Sequence, residues 1–422
     1  MKNALAQKLL QSKKDSTTHD DQQSGSDMTS VKVLHIAPTP FFSDRGCHMR
    51  IMGLIDTLSS ADVRHILCTY NLGRDIGQIE TVRTLKVPGY TNTQAGPSPF
   101  KYIANIFLFF TALKTAAWEK PDIIYAHLHE GILIGWAVDL CLFWRKTPLV
   151  FDMQGSLSGE LDAHGYFDRF SFLKGLFSNI EKLIVKMPDH IVCSSARSAE
   201  ILQQRFAVNK NKITVANDGA ELFSIDPQQT KTLAAELKLQ QDRPIIIYTG
   251  ALLAAKGLDE LCQIMLECNK LKLDCHFLIV GYPVEKITRY VTQNNLRDFC
   301  TITGQVAYEE LGKYLSLADI AIEPKLVDAG EASGKLLNYM GSGLPVVCFD
   351  TSNNRQILGS NGIFASNKKA GSFSNSIREL LDDPEKILAH GRLNKQRANN
   401  HFSWQASADS ILLLFDDLLN KK

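Results

Sequence analysis

Neither a C-x-x-C pair nor any regular cysteine spacing occurs along the 422-residue chain, which removes the zinc-ribbon and dithiol redox motifs. The nine cysteines, Cys47, Cys68, Cys141, Cys193, Cys262, Cys268, Cys275, Cys300 and Cys348, are scattered among mostly apolar neighbours. They read as the reduced core thiols of a cytosolic protein. An excess of charge is missing too: 46 Lys and Arg stand against 45 Asp and Glu, a net charge of +1. No global field gathers nucleic acid, and any phosphate binding has to be local. No apolar run approaches the roughly 20 residues that a spanning helix needs. Ile103–Leu113 is interrupted by Asn105 and bounded by Lys101 and Lys114, and predicts a core helix. The first thirty residues are polar and lack the apolar region and cleavage site of a signal peptide, so they predict a disordered arm over 1–30.

What is present is a rhythm. The length exceeds what one hydrophobic core serves, so two domains with a cleft between them are expected. From Val31 short β-branched runs alternate with helical stretches, the pattern of a doubly wound parallel sheet. Strands are predicted at Val31–Ala37, Arg64–Tyr70, Asp122–Ala126, Leu149–Asp152, His190–Ser194 and Ile213–Ala216. The rhythm pauses near Asp218, where Asp226-Pro227 and the segment Gln240–Pro244 bracket one helical segment. A second alternation then runs from Ile245 through Phe349, and a final helix over Trp404–Leu419 carries Ile411, Leu412, Leu414, Phe415 and Leu418 on one face that needs covering.

Four segments carry chemistry. The first strand ends in a Pro- and Gly-rich turn to Gly46, where backbone N–H groups at a helix start can meet an anion; an ordinary strand-to-helix turn explains it equally well, and it is no G-x-G-x-x-G fingerprint. The run Asp122–Gly131 sets His127 and His129 at a strand end, able to bond sugar hydroxyls or a phosphate oxygen. His129-Glu130 is not followed by the second histidine of H-E-x-x-H, so a zinc-protease reading fails. Thr249, Gly250, Lys256 and Gly257 follow an apolar strand and precede a helix, offering a cation and backbone donors to a diphosphate. The richest stretch, Glu323–Val347, includes Glu331, Ser333, Gly334, Lys335 and Asn338. It lacks the spacing and the Ser/Thr of a Walker A loop, which argues against an ATPase.

The Gly46 loop, Asp122–Glu130, Asn217–Phe223, Lys256-Gly257, the block Glu331–Val347 and Phe402-Ser403-Trp404 together resemble glycosyltransferase family 4, across nearly everything after Val31. That resemblance implies the GT-B fold: two Rossmann-like doubly wound α/β domains facing each other across a cleft, with the C-terminal helix crossing back to the first. The implied division is 31–225 for the acceptor domain, 226–403 for the nucleotide-sugar donor domain and 404–422 for the returning helix. It places the donor diphosphate on Lys256, before Gly257, and the nucleoside on Asn338, where the family has glutamate; Gly250, Ser333, Gly334 and Lys335 join the diphosphate candidates from their own places beside helix starts. The family's other glutamate, eight positions earlier, falls on Gly330 or, with a one-residue shift, on Glu331, so His129 and Glu331 are the catalytic candidates, with Gly46, His127 and Gln154 on the acceptor side. The arginine usual just upstream of the lysine is replaced by Ala251.

The implied reaction is a retaining transfer from a nucleotide diphosphate sugar to a glycan or lipid-linked acceptor, in surface polysaccharide or glycolipid assembly. No Asp-x-Asp triplet occurs, so lysines and helix N-termini are expected to neutralise the diphosphate without a metal or other cofactor. A nucleotide-sugar epimerase on the same fold and a non-catalytic nucleotide-sugar binder are the alternatives. A cytoplasmic location is expected. Peripheral contact with the inner face of the plasma membrane stays open, because the helix Phe170–Met187 sets apolar residues beside Lys174, Lys182 and Lys186. Core packing with solvated lysines is the favoured reading of that helix.

Overall fold

The computed structural model describes residues 30–91, 99–163, 166–167, 171–223, 226–240, 242–326 and 332–421. Apart from Ser30, the expected N-terminal arm lies outside them. The chain divides into two compact units. The first comprises the described residues up to Leu157, Gly175–Asn217 and those from Trp404 onward; the second comprises those within Ser158–Lys174 and Asp218–Ser403.

The first unit is built on seven parallel strands: β1 (Val31–Ala37), β2 (Val63–Thr69), β3 (Glu80–Arg83), β4 (Ile123–His127), β5 (Leu149–Met153), β6 (His190–Cys193) and β7 (Ile213–Val215), in the order β3-β2-β1-β4-β5-β6-β7. The predicted strands are all present. β3 is an addition whose polar sequence Glu-Thr-Val-Arg suits an edge but carries no apolar signal. The period-2 alternation sorts the side chains. Leu34, Ile36, Ile124 and Ala126 face one core, and Val33, Ile123, Tyr125 and Val150 face another. The second face is covered by the helices Gly46–Ser59 and Trp404–Asn420. A Cβ on Gly53 would collide with the Trp404 indole, so a glycine is what lets these two helices close on each other.

The other face carries the helices Phe100–Glu119, Leu128–Cys141, Phe172–Ile184 and Ala196–Phe206. The stretch Ile103–Leu113 is a core helix on one side only: Ala104, Leu108 and Ala112 are buried in the core, Phe107, Phe109 and Leu113 pack partly buried against it, and Ile103, Ile106 and Phe110 face outward. One expectation is corrected here. In Phe172–Ile184 only Glu181 and Ile184 are buried, and Leu176, Ile180 and Leu183 are exposed, so core packing does not account for its apolar residues.

The second unit holds β8 (Ile245–Thr249), β9 (His276–Val280), β10 (Cys300–Gly304), β11 (Ile320–Glu323), β12 (Val346–Phe349) and β13 (Ile363–Ala365), again parallel, in the order β10-β9-β8-β11-β12-β13. Its central strands are buried on both sides and read as the continuous apolar runs seen in the sequence. In both sheets the order reverses beside the first strand, at β1/β4 and at β8/β11. In such sheets ligands lie beyond the carboxyl ends of the strands at this point. All nine cysteines are free. Burial pushes the thiols of Cys68, Cys193, Cys262, Cys268 and Cys275 up to about 12, which makes them inert.

Candidate active site

In the second unit the carboxyl ends of β8 and β11 carry a compact charged arrangement. β11 ends in Glu323, whose carboxylate is almost completely buried. Lys335, in the first turn of the helix Gly334–Gly341, reaches back to it with its ammonium 3.0 Å from Glu323 Oε1. The same ammonium lies 4.5 Å from the centre of the Tyr248 ring and donates to the Tyr248 hydroxyl at 3.4 Å. Glu323 is held in turn by the Ser333 hydroxyl (3.3 Å) and the Lys325 backbone N–H (3.2 Å). A lysine ammonium has three protons. Among the described residues Glu323 and Tyr248 take two, which leaves one for an anion.

The glycines around this arrangement divide by cause. Gly250 has φ +124° and Gly257 φ +87°, a region where other residues are strained. A Cβ on Gly257 would also lie 2.7 Å from the Pro324 carbonyl oxygen, so the packing of one strand end against another requires a glycine there. At Gly334 a Cβ would meet nothing, and at Gly250 nothing nearer than 4.0 Å, so both stand beside open space. Lys256 closes the short turn Ala254–Lys256 before Gly257, and its backbone carbonyl lies 3.3 Å from the Tyr248 hydroxyl. Gly250, Lys256, Ser333, Gly334 and Lys335 are thus brought to one edge of one sheet. Asn338 is nearly buried, and its Oδ1 accepts from the Tyr308 hydroxyl at 3.4 Å. Glu331 lies outside the described residues.

The first unit carries a buried polar row that the sequence reading passed over. His65, His35, His127 and Asp152 stand on β2, β1, β4 and β5 on the face beneath the helix Gly46–Ser59. His65 Nδ1 is 2.8 Å from His35 Nε2, His35 Nδ1 is 2.9 Å from His127 Nε2, and His127 Nδ1 is 2.9 Å from Asp152 Oδ2. With Asp152 ionised, one assignment satisfies every link: each histidine donates from Nδ1 to the next acceptor. The row ends on Arg50, whose guanidinium grips Asp152 through Nε (2.9 Å) and Nη2 (2.7 Å) and donates to the Ala216 carbonyl at 2.8 Å. Burial alone would raise the Asp152 carboxyl, but the Arg50 charge and the His127 bond outweigh it and hold it well below the usual carboxylate range.

These contacts correct the acceptor-side reading of His127, which is fully buried with both ring nitrogens engaged by protein. It links the row and presents nothing outward. His127 and His129 also part company. β4 runs directly into the helix Leu128–Cys141 through Leu128 in the left-handed region (φ 63°). His129 then points to a second buried carboxylate, with its Nε2 3.6 Å from Glu181 Oε1. Glu181 is fixed by the Leu157 backbone N–H (2.9 Å) and the Ser156 hydroxyl (3.2 Å). Gln154 donates to Asp152 Oδ2 at 2.8 Å. Gly46 starts its helix with open space around its Cβ position.

The histidine row makes stability depend on pH. Burial lowers His65 to about 4 and takes His35 well below its ordinary value near 6.5, aided by the neighbouring His65 and His127. Below pH 6.5 the unfolded chain therefore binds protons that native His35 and His65 refuse, and native stability falls as pH drops from 6.5 toward 4. The slope is about 1.4 kcal/mol per pH unit for each such histidine. Denaturant unfolding at pH 7, 6, 5 and 4 checks this, and a midpoint independent of pH across that window contradicts it.

Two parallel-sheet units, each with polar groups gathered at the carboxyl edge, define a GT-B-type architecture. The description "Glycosyl transferase 4-like domain" matches residues 45–219, and "Glycosyl transferases group 1" matches residues 243–383. The chain belongs to the group 1, or family 4, glycosyltransferases. It is similar to alpha-D-kanosaminyltransferase of Streptomyces kanamyceticus, 28% identical over 163 residues covering 37% of this chain and 42% of that protein. The chain spans about half the length of curated relatives it matches. In fold it resembles sucrose-phosphate synthase from Thermosynechococcus elongatus, with a TM-score of 0.76 at 17% identity over 93% of this chain and 100% of that one. It also resembles the Anabaena protein HepE in complex with UDP and glucose, with a TM-score of 0.71 at 15% identity over 92% and 100% of the two chains.

Proposed function

We propose that the chain transfers a sugar from a nucleotide diphosphate sugar to a glycan or lipid-linked acceptor, with retention at the anomeric carbon. The observation that carries this reading is Lys335. It is a nearly buried cation oriented by Glu323 and Tyr248, with a proton to spare, at the switch point of a parallel sheet. As the bond between the anomeric carbon and the diphosphate breaks, its electron pair goes to the departing oxygen. A cation already in place stabilises that charge without reorganising. The acceptor hydroxyl oxygen forms the new glycosidic bond and gives up its proton, for which the departing phosphate is a sufficient base.

In this reading Lys335, Lys256 and the N–H groups near Gly250 and Gly334 hold the diphosphate. Asn338 and Tyr308 lie toward the nucleoside. On the first unit His129, backed by Glu181, is the group offered to the sugar, and Gly46 and Gln154 flank the acceptor. The likeness in fold to a protein crystallised with UDP and glucose makes uridine nucleotides the first donors to try. The related non-catalytic reading draws on Asn338, whose amide oxygen is engaged by Tyr308, and donor binding without turnover on any acceptor would favour it.

With lysines as the neutralising charges, transfer proceeds without a divalent metal. A chelator is expected to leave the rate unchanged, and loss of activity reversed by manganese or magnesium would contradict the proposal. NMR of the product's anomeric centre tests retention in the same reaction.

A further inference from the structure

The outer surface of one helical layer in the first unit is built the wrong way round for water. Along Phe100–Glu119 the inward positions are Ala104, Leu108, Ala112 and Ala116. Tyr102, Ile106, Phe110 and Trp118 share the opposite face at four-residue steps, with Lys114 filling the missing step. Three alanines and Leu108 seat the helix, and Phe107, Phe109 and Leu113 are only partly buried beside them, while other large residues stand in solvent: Trp118 is 80% exposed and Phe110 60%. A surface helix normally reverses this distribution.

The next helix, Leu128–Cys141, packs beside it and exposes Leu133, Trp136 and Leu140 at helical spacing. The turn Phe143–Arg145 then sets Phe143 and Trp144 edge to face, both largely exposed. This turn is not loose. Arg145 donates to the carbonyls of Ala116 (2.8 Å) and Ala117 (2.9 Å), tying the two aromatic rings to the end of the helix that bears Trp118. The helix Phe172–Ile184, whose Ile184 joins the same core, adds exposed Leu176, Ile180 and Leu183.

We infer that this layer lies on an anionic lipid bilayer. Three observations select a membrane over another occupant. Three of the chain's four tryptophans, Trp118, Trp136 and Trp144, are exposed on this layer, and tryptophan is the side chain that settles at a membrane–water boundary. Exposed cations predominate: Lys114, Lys120, Lys146, Lys182 and Lys186 stand on or beside the layer, as attraction to anionic headgroups requires. Of the carboxylates on the two main helices, Glu119 is matched by Lys32 and Arg64, Glu130 faces Lys101, and Asp139 is half-buried. The apolar residues also ride on the outside of packed helices rather than lining a groove, which suits a plane. Among the described residues no helix is long and apolar enough to cross a membrane, so the contact is one of lying on the surface.

The test is flotation of the full chain with phosphatidylcholine vesicles, with and without phosphatidylglycerol, read also through the tryptophan emission. The chain is expected to float with the anionic vesicles and its emission to shift to the blue. Replacing Trp118, Phe143 and Trp144 together by serine lowers partitioning about a hundredfold. The pair Lys114→Glu and Lys146→Glu lowers it about tenfold, on the anionic vesicles only. Unchanged thermal unfolding of both variants shows that the fold is kept. The inference is overturned if the chain stays in solution with both vesicle types. It is equally overturned by concentration-dependent self-association that the triple serine variant abolishes, because the face would then belong to a second copy. Neither readout depends on turnover, so a failure here is separable from a failure of the proposed transfer reaction.

Discussion

Lys335→Ala lowers kcat/KM for sugar transfer about 10²–10³-fold, the usual effect of removing one preorganised donor from a developing oxyanion. The single substitution also leaves Glu323 buried without its cation, and a buried charge stripped of its partner destabilises by about 3–5 kcal/mol. A fall in rate would then mix lost folding with lost chemistry. The double variant Glu323→Gln with Lys335→Ala separates the two. It removes both charges, keeps an amide able to bond Ser333 and the Lys325 N–H, and is expected to unfold close to the wild-type temperature while remaining as inactive as the single variant. Glu323→Gln alone keeps the cation and loses its orientation, so its rate should fall less. A double variant that is stable and fully active would remove Lys335 from the reaction.

Asp152→Ala is expected to destabilise the first unit by about 3–5 kcal/mol, because Arg50 is then left buried without its partner. For a unit of this size that corresponds to a melting temperature roughly 10 °C lower. Solvent decides the contrast with Arg64 and Glu80, which are also paired at 3.1 Å but have side chains 41% and 47% exposed. Glu80→Ala is expected to cost only about 0–1 kcal/mol. Calorimetric melting of the two variants beside the wild type checks both figures. Equal shifts would mean that the histidine row and Arg50 do not hold the unit together.

Much of the fold was legible because a parallel sheet buried on both faces writes itself as apolar runs. β8, β11 and β12 are such runs, and helices separate them at regular intervals. Edge strand β3 could not be read, since Glu80, Thr81 and Arg83 are polar and none of its four residues is buried. The site was legible where chemistry is local in sequence: Lys335, Ser333 and Gly334 adjoin one helix start, and Lys256 lies in the turn after β8. The groups that orient them are distant along the chain. Glu323 precedes Lys335 by a whole loop, and Tyr248 comes from another strand. A signal for the histidine row did exist: His35, His65, His127 and Asp152 occupy the same phase of four otherwise apolar strands. Only the sheet order shows that those strands are neighbours. The outward apolar face of Phe100–Glu119 was hidden by a different ambiguity. Hydropathy cannot tell which side of an apolar helix is seated when alanines do the seating.

The central claim, that the second unit binds a nucleotide diphosphate through Lys335, is tested most directly by calorimetric titration. Uridine, guanosine and adenosine diphosphates and their sugars would be titrated into the wild-type chain, the Glu323→Gln/Lys335→Ala double variant and Lys256→Ala. One nucleotide series is expected to bind the wild type, to bind Lys256→Ala more weakly, and to lose measurable binding to the stable double variant. Binding undiminished in the double variant, or no binding of any nucleotide to the wild type, would contradict the assignment.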